Sequence, residues 1–316
     1  MFKRGKIPGL LALALALVAC GSGGEYPQKD ITIVIPYNPG GGFDTYVRAV
    51  ARSLENHLPN DVNVLAKNSP GAGGRRGASD VFRAKPDGYT IGVFNLPGVL
   101  VPELQKIPIG YKLSEISWLV TMGRDPYAFS VRGDSPIKSM DDIGSLGRNV
   151  LYGATGPGST SYIVTNIINE VLGVPYEVVT GYKGSSSYVL GLIRGDFDAA
   201  LVSMSTARPY LESGDIRALA IFGSESEDPD IADADNLGVP HLGDLSVVRM
   251  IGGPPGLPED ISATLEEALL AAMEDPEFKV WLQDTGNQVQ PKGSADTAKA
   301  VSAMSEFYEN FEQFLN

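Results

Sequence analysis

The stretch 31–44, ITIVIPYNPGGGFD, constrains the fold of this chain more than any other. It opens with a β-branched apolar run, Ile31, Ile33, Val34 and Ile35, of the kind that forms a strand buried on both faces. Pro36 and Pro39 end the run, and Gly40, Gly41 and Gly42 follow. From Asp44 onward Val47, Val50, Ala51 and Leu54 fall on one face of a helix. Strand, glycine-rich turn and helix start together aim unpaired backbone N–H groups beyond the strand's carboxyl end, where anions bind. A tight turn without ligand is the competing reading of the three glycines taken alone.

The alternation continues down the chain. Residues 62–66, 89–94, 118–122 and 127–131 read as strands, with an amphipathic helix around Val81 and Phe82. From Asp134 the pattern restarts: a helix opens at Ser139, a strand covers 149–153, and a second glycine-rich turn leads into a helix over 162–172. Strands at 177–179, 197–202 and 217–222 alternate with helices at 184–194 and 206–213. Residues 250–252 lead back out, and the chain closes in helices over 258–285, interrupted at Asp275 and Pro276, and 295–314. Such alternation predicts an α/β fold of two units, each a mainly parallel sheet flanked by helices.

The first residues belong to targeting. Lys3, Arg4 and Lys6 precede an apolar run, 10–19, too short to span a bilayer as a helix. It ends at Cys20, the only cysteine, in the pattern of a bacterial lipobox. The expected division is a lipoprotein signal peptide over 1–19 and a lipidated tether over 20–28. A mature chain of 297 residues, 316 less the 19 of the leader, is long enough for two domains. With Cys20 acylated, neither a disulfide nor a cysteine-ligated metal is available. Losing three basic residues takes the formal charge from −13 to −16, which argues against a nucleic-acid partner. Any anionic ligand must then be held by local donors, since the overall field repels it.

Catalytic signatures are missing. The stretch 153–160 has the spacing of a phosphate loop, but Ser159 stands where that motif needs lysine. The stretch 71–76 fails the dinucleotide pattern at Arg76. His57 and His241 are expected to lack a carboxylate partner and have no metal-ligand spacing, so both read as surface residues, and a serine nucleophile would lack an obvious base. Ser185, Ser186 and Ser187 read as a helix N-cap region supplying hydroxyls. What remains is donors: two glycine-rich helix N-termini, each worth about half a positive charge, with Thr155, Ser159, Thr160 and Ser185 beside them. That inventory suits a carboxylate held between two lobes without chemistry done on it.

Taken in order, the motifs resemble one family. The turn 36–44, the pair of stretches 68–74 and 85–90, the second turn 152–160, and then 182–184, 194–198, 216–220 and 275–277 are similar to the extracytoplasmic solute receptors of tripartite tricarboxylate transporters, the Bug receptors. The resemblance spans essentially the whole mature chain. It implies a two-lobed periplasmic binding protein fold, type II-like, with lobe 1 built from 29–132 plus 248–316 and lobe 2 from 133–247. It further implies a monomeric, extracytoplasmic receptor, anchored through Cys20, that hands a small organic carboxylate to membrane transporter subunits, with no cofactor or metal. An enzyme on the same scaffold, or a receptor read by a membrane sensor, are the other readings.

Carried over, the candidate ligand contacts are Gly40, Gly41, Gly42, Phe43, Thr155, Gly156, Gly158, Ser159 and Thr160, with Asp44 in a structural role. Ser185 adds a hydroxyl. Asn95, before Leu96 and Pro97, replaces the family's hydroxyl-rich run, and Val202 and Ser203 stand where an Asp-Asn pair is common. These departures leave the ligand's distal group open, and Asn95 and Ser203 join the candidate set for that reason.

Overall fold

The computed structural model describes residues 25–314, so the leader, Cys20 and the start of the tether lie outside the described residues. In chain order the elements are β1 (Ile31–Ile35), α1 (Gly42–Glu55), β2 (Val64–Asn68), α2 (Arg75–Phe82), β3 (Thr90–Leu96), α3 (Val101–Leu104) and β4 (Ser117–Arg132). Then come α4 (Met140–Gly144), β5 (Val150–Gly153), α5 (Thr160–Leu172), β6 (Tyr176–Val179), α6 (Ser185–Arg194), β7 (Ala199–Ser203), α7 (Met204–Glu212) and β8 (Ile216–Phe222). The chain finishes with β9 (Ser246–Gly253), α8 (Glu259–Glu274), α9 (Pro276–Thr285) and α10 (Ser294–Glu309).

The strands follow the order β2-β1-β3-β9-β4-β7-β5-β6, with β8 also paired to β4. Two parallel trios, β2-β1-β3 and β6-β5-β7, lie at the ends of this order. Between them β9 runs antiparallel to β3 and β4, and β4 antiparallel to β7 and β8. The sheet is therefore mixed where mainly parallel sheets were expected, because the strands crossing between the lobes run against their neighbours.

One of those strands was read as two. The 16-residue β4 continues through Gly123, Arg124, Asp125 and Pro126, where glycine and proline suggested a break. Residues Ser117 to Pro126 pair with β9, and Tyr127 to Arg132 pair with β7 and β8. Pro126 sits at the change of partner, where a missing N–H costs least.

Each trio is covered by helices whose apolar faces match the sequence pattern. Val47, Val50, Ala51 and Leu54 of α1 are buried against β1 and the C-terminal helices. Across the molecule Tyr188, Val189 and Leu192 of α6 pack with Phe197 and Ala200. The break between α8 and α9 falls where it was expected: Asp275 caps α9 by accepting from Glu277 N at 2.8 Å. Its other carboxylate oxygen lies 2.9 Å from His57 Nε2, so the expectation of a histidine without a carboxylate partner is corrected. The partners are 218 residues apart in sequence. His241 is exposed and stacks on Phe311.

Candidate functional site

A cleft of about 520 Å³ opens between the two lobes, within the size range of small-molecule sites. The loop after β1 supplies Tyr37, Gly40 and Gly41, the start of α1 supplies Gly42 and Phe43, and the end of β3 supplies Asn95. The opposite wall comes from Thr155, Gly156, Ser159 and Thr160 before and within α5, Ser185 of α6, and Ser203 at the end of β7. Eleven sequence candidates thus share one cavity.

Two do not line it. Asp44 is buried and turned into its own loop, where it accepts from Gly40 N at 2.9 Å, Arg48 Nε at 3.0 Å and Asn68 Nδ2 at 2.8 Å. Burial pushes its carboxyl up, but Arg48, the Gly40 N–H and Asn68 together hold it below the ordinary aspartate range. Gly158 faces the other lobe instead, with φ +72° and Arg75 beside it.

Four helix N-termini reach the cleft where the sequence suggested two. Those of α1, α6 and α7 have Gly41, Gly184 and Ser203 as N-caps, and none is satisfied by its cap's side chain, but at α7 Ser205 N donates to Asp125 Oδ1 at 3.1 Å. At α6 this corrects the serine-cap expectation: Gly184, in an extended conformation, takes the cap position. Ser185 Oγ lies 3.3 Å from Thr206 Oγ1 instead. The fourth, α5, is capped by Ser159, whose Oγ accepts from Tyr162 N at 3.4 Å. Each terminus contributes about half a positive charge. Thr206 links the group, with Ser203 Oγ donating to its Oγ1 at 3.2 Å.

The lobes touch around this cavity. Asn95 Nδ2 donates to Thr160 Oγ1 at 2.8 Å, and Asn38 Nδ2 donates to the Lys183 carbonyl at 2.8 Å. Gly73, with φ +67°, lies so close to Gly158 that a Cβ there would stand 2.7 Å from its carbonyl oxygen.

Sequence reasoning missed Arg249, Tyr37, Tyr127 and Thr206 as cleft residues. Arg249 is 3 % exposed and lies opposite Asn95 in the β3–β9 register. Its Nη2 donates to Asp125 Oδ2 at 2.5 Å and to Ser205 Oγ at 3.1 Å, and the guanidinium lies over the Phe43 and Tyr46 rings. A lone arginine inside the apolar run 247–252 was the available signal, since arginine is seldom buried unpaired. Tyr127 was read only as the start of a strand, and its ring is buried, while Tyr37 sits in the loop after β1.

Buried polar atoms without partners concentrate here. Among the described residues there are seven, and four belong to residues that line the cleft: Tyr37 Oη, Asn95 Oδ1, Tyr127 Oη and Arg249 Nε. Burial raises the Tyr37 hydroxyl far above the usual tyrosine range, with Asn95 and Thr160 beside it but not in well-formed bonds to it. Such groups are ordinarily satisfied in folded proteins, so their gathering in one cavity marks where a polar guest fits. No three histidine, cysteine, aspartate or glutamate side chains are grouped to hold a metal ion among the described residues.

Comparison with known proteins gives the family and the fold. The model of the tripartite tricarboxylate transporter family receptor matches residues 46–309. A UPF0065 protein from the ttuE–ttuC′ intergenic region of Agrobacterium vitis is 29% identical over 262 residues, 80% of this chain and 73% of its own. The periplasmic binding protein BugD superposes with a TM-score of 0.80 at 24% identity, over 92% of this chain and 98% of its own. MatC of Rhodopseudomonas palustris, with bound malate, gives 0.79 at 24% identity, over 92% and 100%. The alternating sequence, the two-lobed α/β fold and the family match over most of its length lead to one conclusion: this chain is a solute-binding protein of the tripartite tricarboxylate transporter receptor family.

Proposed function

We propose that this receptor captures a small organic carboxylate between its lobes and delivers it to a tripartite tricarboxylate-type membrane transporter, without catalysing a reaction. One observation carries the reading: the N-termini of α1, α5 and α6 open into one cavity, with the hydroxyls of Thr155, Ser159 and Ser185 beside them. In a chain of formal charge −13, such a concentration of donors is a local exception suited to an anion. The malate bound by MatC fits the same ligand class. The candidate contacts are the eleven cleft residues named above, and Gly158 and Asp44 shape the walls.

The proposed lobes are 29–132 plus 248–316 and 133–247; β4 changes partners earlier, at Pro126, so that 127–132 pair with the strands of the second lobe. Cys20 tethers the protein outside the cytoplasm, in keeping with the family and with the lack of a membrane-crossing helix among the described residues. A thermal-shift screen against mono-, di-, tri- and aromatic carboxylates tests the reading. A ligand at 100-fold above its Kd stabilises by about 2.7 kcal/mol. A screen in which neutral sugars shift the protein and carboxylates do not overturns it.

A further inference from the structure

Where β3, β4 and β9 meet, the cleft carries polar groups in addition to the helix N-termini. Arg249 and Asp125 are both nearly inaccessible, with side chains 4% and 6% exposed. Asp125 is bound on every side: by Arg249 Nη2 at 2.5 Å, by Ser205 Oγ at 2.5 Å and by Ser205 N at 3.1 Å. Arg249 is not, because its Nε has no partner. Directly across the β3–β9 register, Asn95 spends its Nδ2 on Thr160 and leaves Oδ1 unmet, and the Tyr127 hydroxyl is unmet as well. Apart from the Tyr37 hydroxyl, which lies beside Asn95 and Thr160, the open positions are donors on Arg249 and Tyr127 and an acceptor on Asn95.

We propose that Arg249, Tyr127 and Asn95 form a second subsite that recognises an uncharged hydroxyl or carbonyl oxygen at the far end of the ligand. Asp125 sets that preference by cancelling the charge of Arg249. The inference rests on the carboxylate reading above and adds the chemistry of the distal group.

The physical argument concerns the buried ion pair. A second ligand carboxylate within reach of Arg249 Nε would share one cation with Asp125 in a nearly dry site, and two anions there repel. An uncharged oxygen takes the same donors without that repulsion. A hydroxyl matches the full inventory, since it accepts from Arg249 and Tyr127 and donates to Asn95 Oδ1. A methyl group at the same position would leave all three buried groups unsatisfied, which is the costly case.

Calorimetric titration with three matched series tests this. They are butyrate, its ω-hydroxy derivative and succinate; hexanoate, its ω-hydroxy derivative and adipate; and benzoate, para-hydroxybenzoate and terephthalate. In whichever body length binds, the hydroxy member is expected to bind at least about 10-fold more tightly than both the plain acid and the diacid. Asp125→Asn, by freeing the charge of Arg249, is expected to move the preference toward the diacid. Arg249→Met is expected to level the series.

Binding of these acids without preference for the hydroxy member overturns the subsite and leaves the carboxylate receptor standing. No binding by any member overturns both. A folded Asp125→Asn protein with the parental ranking overturns the role given to Asp125. If that variant does not fold, the ranking of the parent protein decides.

Discussion

Asn95 Nδ2 donates to Thr160 Oγ1 at 2.8 Å, tying the end of β3 in one lobe to the first turn of α5 in the other. The bond is buried and spans 65 residues of sequence. It exists only while the lobes are together, so its free energy belongs to closure.

Removing that acceptor is therefore expected to weaken ligand binding through the closed state. A buried neutral hydrogen bond contributes about 0.5–1.5 kcal/mol, so Thr160→Val should bind the carboxylate found by screening roughly 2- to 10-fold more weakly. Thr160→Ser keeps the oxygen and should stay near the parent. Small-angle scattering of the ligand-free protein should give a larger radius of gyration for the valine variant. Equal affinities for valine and serine would show that the bond contributes nothing to closure.

The contact of Gly73 with Gly158 predicts a steric block. Gly73→Ala places a Cβ 2.7 Å from the facing carbonyl, whereas Gly147→Ala, at a nearly equal φ of +66°, meets nothing within 4 Å. Both incur a left-handed backbone cost of about 1–2 kcal/mol and should lower Tm by similar amounts. Only Gly73→Ala should lose ligand affinity, by about 10-fold or more. Parallel losses in the two variants would reduce the effect to backbone strain.

Asp44 predicts a pH dependence of known sign. Its folded carboxyl is held below the ordinary value by Arg48, Gly40 and Asn68 against the opposing effect of burial. The unfolded chain therefore takes up this proton first as pH falls. The stability it lends is complete above the usual carboxylate range and is lost as pH drops through the lower folded value. Tm measured from pH ~6 downward should fall less steeply in Asp44→Asn than in the parent. At neutral pH the amide oxygen can still accept from Gly40, so ligand binding should be retained in part.

His57 and Asp275 separate stability from binding. Asp275→Ala removes both the α9 cap and the histidine's partner, at a cost of about 1–2 kcal/mol. Neither residue lines the cleft, so Kd should not change. Denaturant titration reads the first and calorimetry the second, and a Kd shift beyond threefold would contradict this division.

For the anchor, Cys20→Ser should move the protein from the membrane to the soluble fraction or stop its maturation. Unchanged fractionation would remove the lipoprotein assignment.

What the sequence made legible was local. The glycine turn at residues 40–42 and the interruption at Asp275 and Pro276 are each decided by backbone geometry within a few residues, and both were readable. The face of α1 was readable because its period is 3.6. Pairs made by topology were hidden: Asn95 with Thr160, and His57 with Asp275. Arg249 was hidden for another reason, since an arginine in an apolar strand announces a partner without naming Asp125. The single β4 was obscured because Gly123 and Pro126 normally end strands, and only the change of neighbours explains why they do not end this one.

That uninterrupted β4 makes the two lobes inseparable as manufactured parts. Its first half completes the sheet of one lobe beside β9, and its second half lies between β7 and β8 in the other. A gene cut at Pro126 would yield one piece without β9, the strand that joins β3 to β4, and another beginning with a strand that lies between two neighbours, each with raw edges open to aggregation. Exchanging lobes between relatives to graft one half's contacts onto another would fail for the same reason. In this scaffold new specificities are reached by changing side chains around a shared rod, and not by shuffling modules.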